Sequence, residues 1–512
     1  MQTLGLVSPT SVPFTSVRLG KSTYQITTSI GNVLQTYDFK RGLSLVFASQ
    51  PRTPKPITAT FAWKNVVFAA WGGQQVGDES GVWVFRRGKK IASLEATPSF
   101  AGPVTRLLVF GSWIVGCCES CIQVWNSTSY AHYTTLIAKP SRSTPDLPIF
   151  TGNICTMPTY LNKIFAGRYD GTVEIWNISS GKLLHTILPL TAQDGAVTAI
   201  EPTPALSHIA IAYKAGTVVV RNVDTEQAVL SLNSNSPHPV TSISFRTDGI
   251  GAGDEGRLPG VMATATSYSG DITLWDLNNG GRRTGSLREA HELHQKDSDG
   301  GVNKIEFLDG QPFLISSGRD NALRSWIFDE SPFSPIPRML HSRGGHAAAV
   351  SALSFLPASS DGSDSAGKWL LSGSKDQSLW GFSLRKDSQN SELSQGNIKS
   401  KSQKKGILRS GPTSEDLKAP EITSIACSLN RDAGMGASSQ QVWTNSKDAK
   451  KSSQNANGWE SVVTGHKGDK FARTWYWGKK KAGRWAFETS DGTEVKVCDL
   501  FLFRHACFSL MY

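Results

Sequence analysis

Four stretches of this chain hold residue types that do chemistry in other proteins. Cys118-Glu119-Ser120-Cys121 has the spacing of a metal-binding or redox pair. A zinc site needs four ligands. No second pair stands at a suitable spacing, so these are read as buried or strand-edge thiols and no metal ligand is assigned. Gly251-Ala252-Gly253-Asp254-Glu255-Gly256 is a literal GxGxxG. That motif cradles a dinucleotide only between a strand and a helix. Here Pro259 and a further apolar run (261–264) follow, which makes the segment a hairpin loop with no cofactor. Gly20-Lys21-Ser22-Thr23 ends like a phosphate-binding loop, but Thr15 stands where the first glycine is required.

The fourth stretch is cationic. Between 464 and 484, Lys467, Lys470, Arg473, Lys479, Lys480, Lys481 and Arg484 face only Asp469, and Trp475, Tyr476, Trp477 and Trp485 interleave with them or follow. Lys399, Lys401, Lys404, Lys405 and Arg409 form a second cluster. Basic and aromatic residues together neutralise phosphates and stack bases. Lys399, Lys401, Lys404, Lys405, Lys479, Lys480, Lys481 and Arg484 are therefore the candidates for contact with RNA or an acidic partner. The plainer readings are a solvated loop for the first cluster and an exposed hairpin turn for the second. No Ser, His and Asp occur in the strand–turn–helix context of a hydrolase, so no catalytic residue is assigned and the chain is read as a non-enzyme.

These residues need elements to hold them, and the composition points to strands. The 512 residues include 48 Gly, 24 Pro and 15 Trp, which fits many turns and argues against a helical bundle. Lys and Arg number 53 against 42 Asp and Glu, for a net charge of +11, which fits a phosphate-bearing partner without requiring one. No run reaches 18 uncharged apolar residues, so no membrane helix is expected. The first residues lack a basic start followed by an apolar block, and the seven cysteines are odd in number and scattered, which reads as a reducing compartment. The sequons at Asn126 and Asn177 are then chance matches.

A module recurs: an apolar run, a polar turn, an alternating strand, then an aromatic. It is clearest at 165–182, 265–281, 315–330 and 371–386, and weaker near 28–42, 78–90, 117–129 and 212–226. The aromatic slot falls at Tyr37, Phe85, Trp125, Trp176, Arg221 (where the aromatic is lost), Trp275, Trp326 and Phe382, spaced by 40 to 56 residues. A four-stranded propeller blade needs about 40–45 residues and lengthens by loop insertion. The chain resembles a WD40 β-propeller, an all-β fold whose blades carry a His, a Ser or Thr, an Asp and a Trp in one polar network. His291, Ser316, Asp320 and Trp326 supply all four types in order. His346, Ser372 and Asp376 supply three, with Phe382 in the Trp position, so the network there ends early. The Trp176 copy keeps Asp170 but has Ala166 in the Ser position.

Eight copies precede residue 386, one more than a seven-blade ring needs, and spacing does not decide whether the Tyr37 or the Phe382 copy is surplus. The expected division is a first propeller of about seven blades at 1–385, with 1–46 an alternative closing element for another ring. A basic linker at 386–420, an incomplete second propeller at 421–497 and an aberrant or truncated tail at 498–512 follow.

Three stretches are more specific than a generic blade: YLNKI at 160–164 with the following GTVEIWNISSGKLLHTI, VTSISFRTDG at 240–249, and DNALRSWIFD at 320–329. With the basic segment after the Phe382 copy, they resemble the tandem WD-repeat family of U-three protein twenty-one. The resemblance implies a nucleolar scaffold in the UTP-B module of the small-subunit processome, acting in pre-18S rRNA processing and small-subunit biogenesis. Its implied partners are other UTP-B WD-repeat subunits and, directly or indirectly, the U-three small nucleolar RNA and pre-rRNA particle, with no membrane. The alternative is a WD40 adaptor of another complex, such as a ubiquitin-ligase substrate receptor or a signalling scaffold.

Overall fold

Short segments such as Thr217–Asn222 (TVVVRN) are β-branched, flanked by turn residues and too short for stable helices, so they pair as strands. The computed structural model describes residues 4–73, 78–95, 102–140, 148–233, 238–249, 260–266, 268–292, 301–328, 337–356, 368–396, 418–427, 460–489, 492–496, 498–503 and 506–511. Among these, the strands form nine four-stranded sheets and one two-stranded sheet, and no helix is long and apolar enough to cross a membrane. Within each four-stranded sheet the strands are consecutive in the chain and antiparallel to their neighbours.

The turns between third and fourth strands repeat one local design. Asn126 Oδ1 accepts the backbone N–H of Thr128 at 2.9 Å, Asn177 Oδ1 that of Ser179 at 3.1 Å, and Asn222 Oδ1 that of Asp224 at 2.9 Å. Each bond closes an Asx turn. Two of these asparagines head the two sequons, so here the motif encodes a turn. Each turn ends on a left-handed residue, at Tyr130, Gly181 and Glu226.

The chain divides into two compact units, residues 6–344 and residues 1–5 with 345–512. The first unit holds seven sheets, spanning 15–48, 57–93, 106–137, 150–187, 197–233, 240–287 and 302–343. Every adjacent pair encloses its own apolar core. Phe165 and Ile175 of the fourth sheet pack with Ile209 and Ile211 of the fifth, for example, and Ala263 and Leu274 of the sixth with Ile305 and Leu314 of the seventh. The seventh also packs on the first: Leu308, Ile315 and Leu323 share a core with Phe14, Tyr24, Ile26 and Tyr37. The ring is therefore closed by seven sheets. The first strands of all seven line one central cavity.

This corrects the expected boundary at 385. The surplus module is the Phe382 copy, because both flanks of the ring are already covered when the seventh sheet meets the first. The eighth sheet (350–392) instead packs on the ninth (422–488) in the second unit, where Leu371 and Leu379 meet Ile422, Val462 and Trp475. The expected linker start is corrected too, since Asp387–Gln389 form a 3₁₀ turn and Ser391–Glu392 the fourth strand of the eighth sheet. The tail forms a two-stranded hairpin of Cys498–Phe503 with Ala506–Met511.

Candidate functional site

The residues most like a reactive constellation lie inside the seventh sheet. Trp326 pairs across the strands with Leu314, which places its indole diagonally over Ser316, two residues further on. Trp326 Nε1 donates to Ser316 Oγ at 2.9 Å, Ser316 Oγ lies 2.8 Å from His291 Nε2, and His291 Nδ1 lies 2.8 Å from Asp320 Oδ1. The indole can only donate, so Ser316 spends its proton on Nε2, and Nδ1–H points at Asp320. Burial opposes ionisation of Asp320, but His291, Arg324 and the Glu292 amide outweigh it and hold the carboxyl well below the usual carboxylate range. The order Asp–His–Ser matches a nucleophilic triad. Ser316 and His291 are nevertheless sealed in the sheet, at 0% and 1% exposure. A substrate cannot reach the hydroxyl, and its oxygen already accepts from the indole, so the network fixes the blade.

In the eighth sheet His346 Nδ1 lies 3.1 Å from Asp376 Oδ2 and Nε2 lies 2.9 Å from Ser372 Oγ. Phe382 adds no donor and stacks on Trp380 with ring centroids 5.7 Å apart. Other sheets complete the aromatic's polar end with residues that sequence reasoning passed over. Trp275 Nε1 donates to Thr264 Oγ1 and Trp475 Nε1 to Thr464 Oγ1, both at 2.8 Å. Trp176, facing Ala166, turns to Glu174 Oε2 at 2.9 Å on its own strand, and Glu174 also pairs with buried Arg168. Arg221, the non-aromatic slot, is buried with its Nε unpartnered. The missed signal is a Ser or Thr ten or eleven residues before the Trp, which antiparallel register brings diagonally opposite.

The cysteine pair sits in the hairpin between Trp113–Cys117 and Cys121–Asn126, with Cys117, Cys118 and Cys121 all buried. Burial pushes the Cys117 thiol up to about 12. The GxGxxG stretch lies outside the described residues. The strands flanking it, Val240–Phe245 and Val261–Thr266, are antiparallel partners.

The cationic hairpin of the ninth sheet joins Phe471–Tyr476 to Lys481–Glu488. Much of its charge is compensated locally: Arg473 pairs with Asp469 at 2.8 Å, Lys467 with Glu421 at 3.4 Å, and Lys470 with Glu488. Lys480 is not the exposed contact expected from the sequence. It takes the left-handed turn position, which folds its side chain back over the Trp477 ring and 4.6 Å from the centroid of Trp369. Its Nζ is buried with no hydrogen-bond partner, and burial pushes its pKa down to about 7. Lys479 and Lys481 are exposed beside Tyr476, at 5.2 and 6.0 Å from its ring centroid. Arg484 is exposed and donates its backbone N–H to Glu460 at 2.8 Å. Trp485, 68% exposed, lies on the same strand as Lys481 and Arg484. Exposed cations and an open indole are the groups that neutralise phosphate and stack a base. Lys399, Lys401, Lys404, Lys405 and Arg409 lie outside the described residues.

Residues 26–329, most of the closed ring, match the family model described as the WDR36/Utp21 first β-propeller. The chain is 32% identical over 502 residues to the U3 small nucleolar RNA-associated protein 21 homolog of Schizosaccharomyces pombe, covering 97% of this chain and 47% of that protein. It is 32% identical over 503 residues to U3 small nucleolar RNA-associated protein 21 of Saccharomyces cerevisiae (95% and 46%). To human WD repeat-containing protein 36 it is 29% identical over 494 residues (95% and 46%). The chain thus spans about half the length of these relatives.

Proposed function

This chain belongs to the WDR36/Utp21 family, and from that membership we propose that it is a non-enzymatic scaffold in ribosome biogenesis, working in the nucleolus on the particle that holds the U3 small nucleolar RNA and pre-18S rRNA. The observation that carries this reading is the 32% identity, over almost the whole chain, to two proteins named for association with U3 small nucleolar RNA. The ring is physically suited to the task. Its sheets use their faces on one another and leave the loops to vary, so binding is decoupled from stability. Other WD-repeat subunits of the UTP-B module are its protein partners in this proposal, and Lys479, Lys481, Arg484 and Trp485 its RNA-facing residues.

Affinity purification of the full chain followed by sedimentation tests the proposal. U3 RNA and pre-rRNA should co-purify in large particles, and the tagged protein should light the nucleolus. A protein confined to light fractions without pre-ribosomal RNA ends this reading. For direct RNA binding, replacing Lys479, Lys481 and Arg484 by Gln should flatten the salt dependence of RNA affinity by roughly 0.7–0.9 in log–log slope for each phosphate that is no longer neutralised. An unchanged slope removes these residues from the RNA surface.

A further inference from the structure

The ring's central cavity, about 540 Å³, carries charge that the scaffold reading does not use. Five charged side chains line it: Arg106 from the third sheet, Glu201 from the fifth, and Lys304, Glu306 and Asp309 from the seventh. Four of them have partners. Asp309 pairs with Arg18 at 3.4 Å and accepts from Thr247 Oγ1 at 3.2 Å. Lys304 Nζ donates to the Phe14 carbonyl at 3.0 Å and pairs with Glu306, and Glu306 also accepts from Ser16 Oγ. Arg106 Nη2 donates to Asn153 Oδ1 at 3.4 Å. The Glu201 carboxylate has neither hydrogen-bond nor ion-pair partner among the described residues, although its surface opens onto the cavity. A carboxylate is acceptor-only, so the guest it can take is one that brings donors.

We propose that the central cavity of the ring is a socket for a cationic side chain, lysine or arginine, presented by a partner polypeptide, with Glu201 as its counter-ion. An anionic guest meets a bare carboxylate, and Lys304 is already neutralised by Glu306. RNA brings no cation. A metal ion would need several oxygen or nitrogen ligands, and no group of three metal-ligating side chains occurs among the described residues. A guanidinium or ammonium supplies both the donors and the charge, and the polypeptide that carries it can also rest on the rim. Glu201 is tuned for such a guest. The residue is exposed only to the cavity, and desolvation by the strands crowded around it pushes its carboxyl up to about 7, with Lys304 lowering it, Glu306 raising it and Arg106 lowering it. The ionised form is the one that binds, so affinity rises with pH through that value.

The probes are N-acetyl-arginine amide and N-acetyl-lysine amide, titrated by calorimetry into the full chain beside N-acetyl-citrulline amide and N-acetyl-glutamate. The cations should bind in the millimolar range and the neutral and acidic analogues at least about tenfold more weakly. Cation affinity should rise roughly tenfold from pH 6 to pH 8, following the ionised fraction of Glu201. Glu201→Gln should abolish both the binding and its pH dependence while keeping the far-ultraviolet spectrum. At pH 9, where Glu201 is ionised in both proteins, Arg106→Gln, which removes a competing charge, should tighten the cation. No heat from either cation, citrulline binding as well as arginine, a preference for the acidic analogue, or weaker cation binding by Arg106→Gln at pH 9 each overturns the proposal. These outcomes are independent of whether the chain recovers pre-ribosomal RNA.

Discussion

At the scale of single residues, the molecule shows how catalytic-looking chemistry is put to structural use. Asp320, His291, Ser316 and Trp326 form one run of hydrogen bonds in which each group's proton is committed to the next. Removing the middle member strands groups on both sides, because a buried polar group without a partner costs more than a made bond contributes. Ser316→Ala should therefore destabilise the ring by about 1–3 kcal/mol, measured as a shift in urea unfolding midpoint. Trp326→Phe removes the donor that depends on Ser316, so the double variant should lose less than the sum of the singles by about 0.5 kcal/mol or more. Strict additivity would show that the indole and the hydroxyl are not coupled. The four residue types were legible in the sequence in their chain order, whereas their distances follow from the register. The equivalent role of Thr264 and Thr464 was hidden because Ser and Thr are common in strands, and only the diagonal offset from Trp275 and Trp475 singles them out.

At the scale of the element, the third-to-fourth strand hairpins explain both what the sequence reveals and what it hides. Period-two alternation located the third strands, and the residue five positions after the aromatic slot takes the left-handed conformation in several sheets, at Gly42, Tyr130, Gly181, Glu226 and Gly280. Lys480 stands in the same place relative to Trp475. Within a run of three lysines it reads as one more solvated cation, and nothing in its neighbours marks the inward turn. Its pKa lies near 7, well below the ordinary lysine value, because burial disfavours the ammonium. The sign follows from linkage. Between pH 7 and the ordinary lysine value the unfolded chain holds a proton that the folded chain lacks, so stability rises with pH across that window and the full cost is felt below it. Lys480→Met should stabilise the folded chain at pH 6.5 by up to a few kcal/mol, and the gap between variant and wild type should close by pH 10. Thermal melts of both proteins at the two pH values measure this. A gap that stays constant would mean that the ammonium is never desolvated and that the cation–π contacts with Trp477 and Trp369 carry its full solvation.

At the scale of the whole first unit, the seven modules are so alike that no single one announces where the circle ends, which is why the sequence placed its boundary at 385 and the structure places it at 344. Closure is a property of the contact between the last sheet and the first. No strand is exchanged between those sheets, since each of the seven is built from four consecutive strands. The seam is held by side chains: the apolar cluster of Phe14, Tyr24, Ile26, Leu308 and Ile315, the Lys304 bond to the Phe14 carbonyl, and Asn321 Oδ1, which accepts the backbone N–H groups of Val7 and Ser8 at 2.8 and 3.0 Å. Neighbouring sheets elsewhere in the ring are also joined by the chain that runs from one to the next, whereas the seventh and first sheets have no such covalent link, so the seam should be the first place the ring yields. Phe14→Ala, which empties a fully buried position at the seam, should cost about 3–5 kcal/mol. Ile211→Ala, buried between the fourth and fifth sheets, should cost about 2–5 kcal/mol. The two variants should differ in where the loss appears. Amide hydrogen exchange should accelerate in the first and seventh sheets for Phe14→Ala and stay near wild type in the third to fifth, whereas Ile211→Ala should not open the seam selectively. Exchange that rises evenly around the ring for Phe14→Ala would show that the seven sheets unfold as one cooperative body and that the seam is no weaker than the other interfaces.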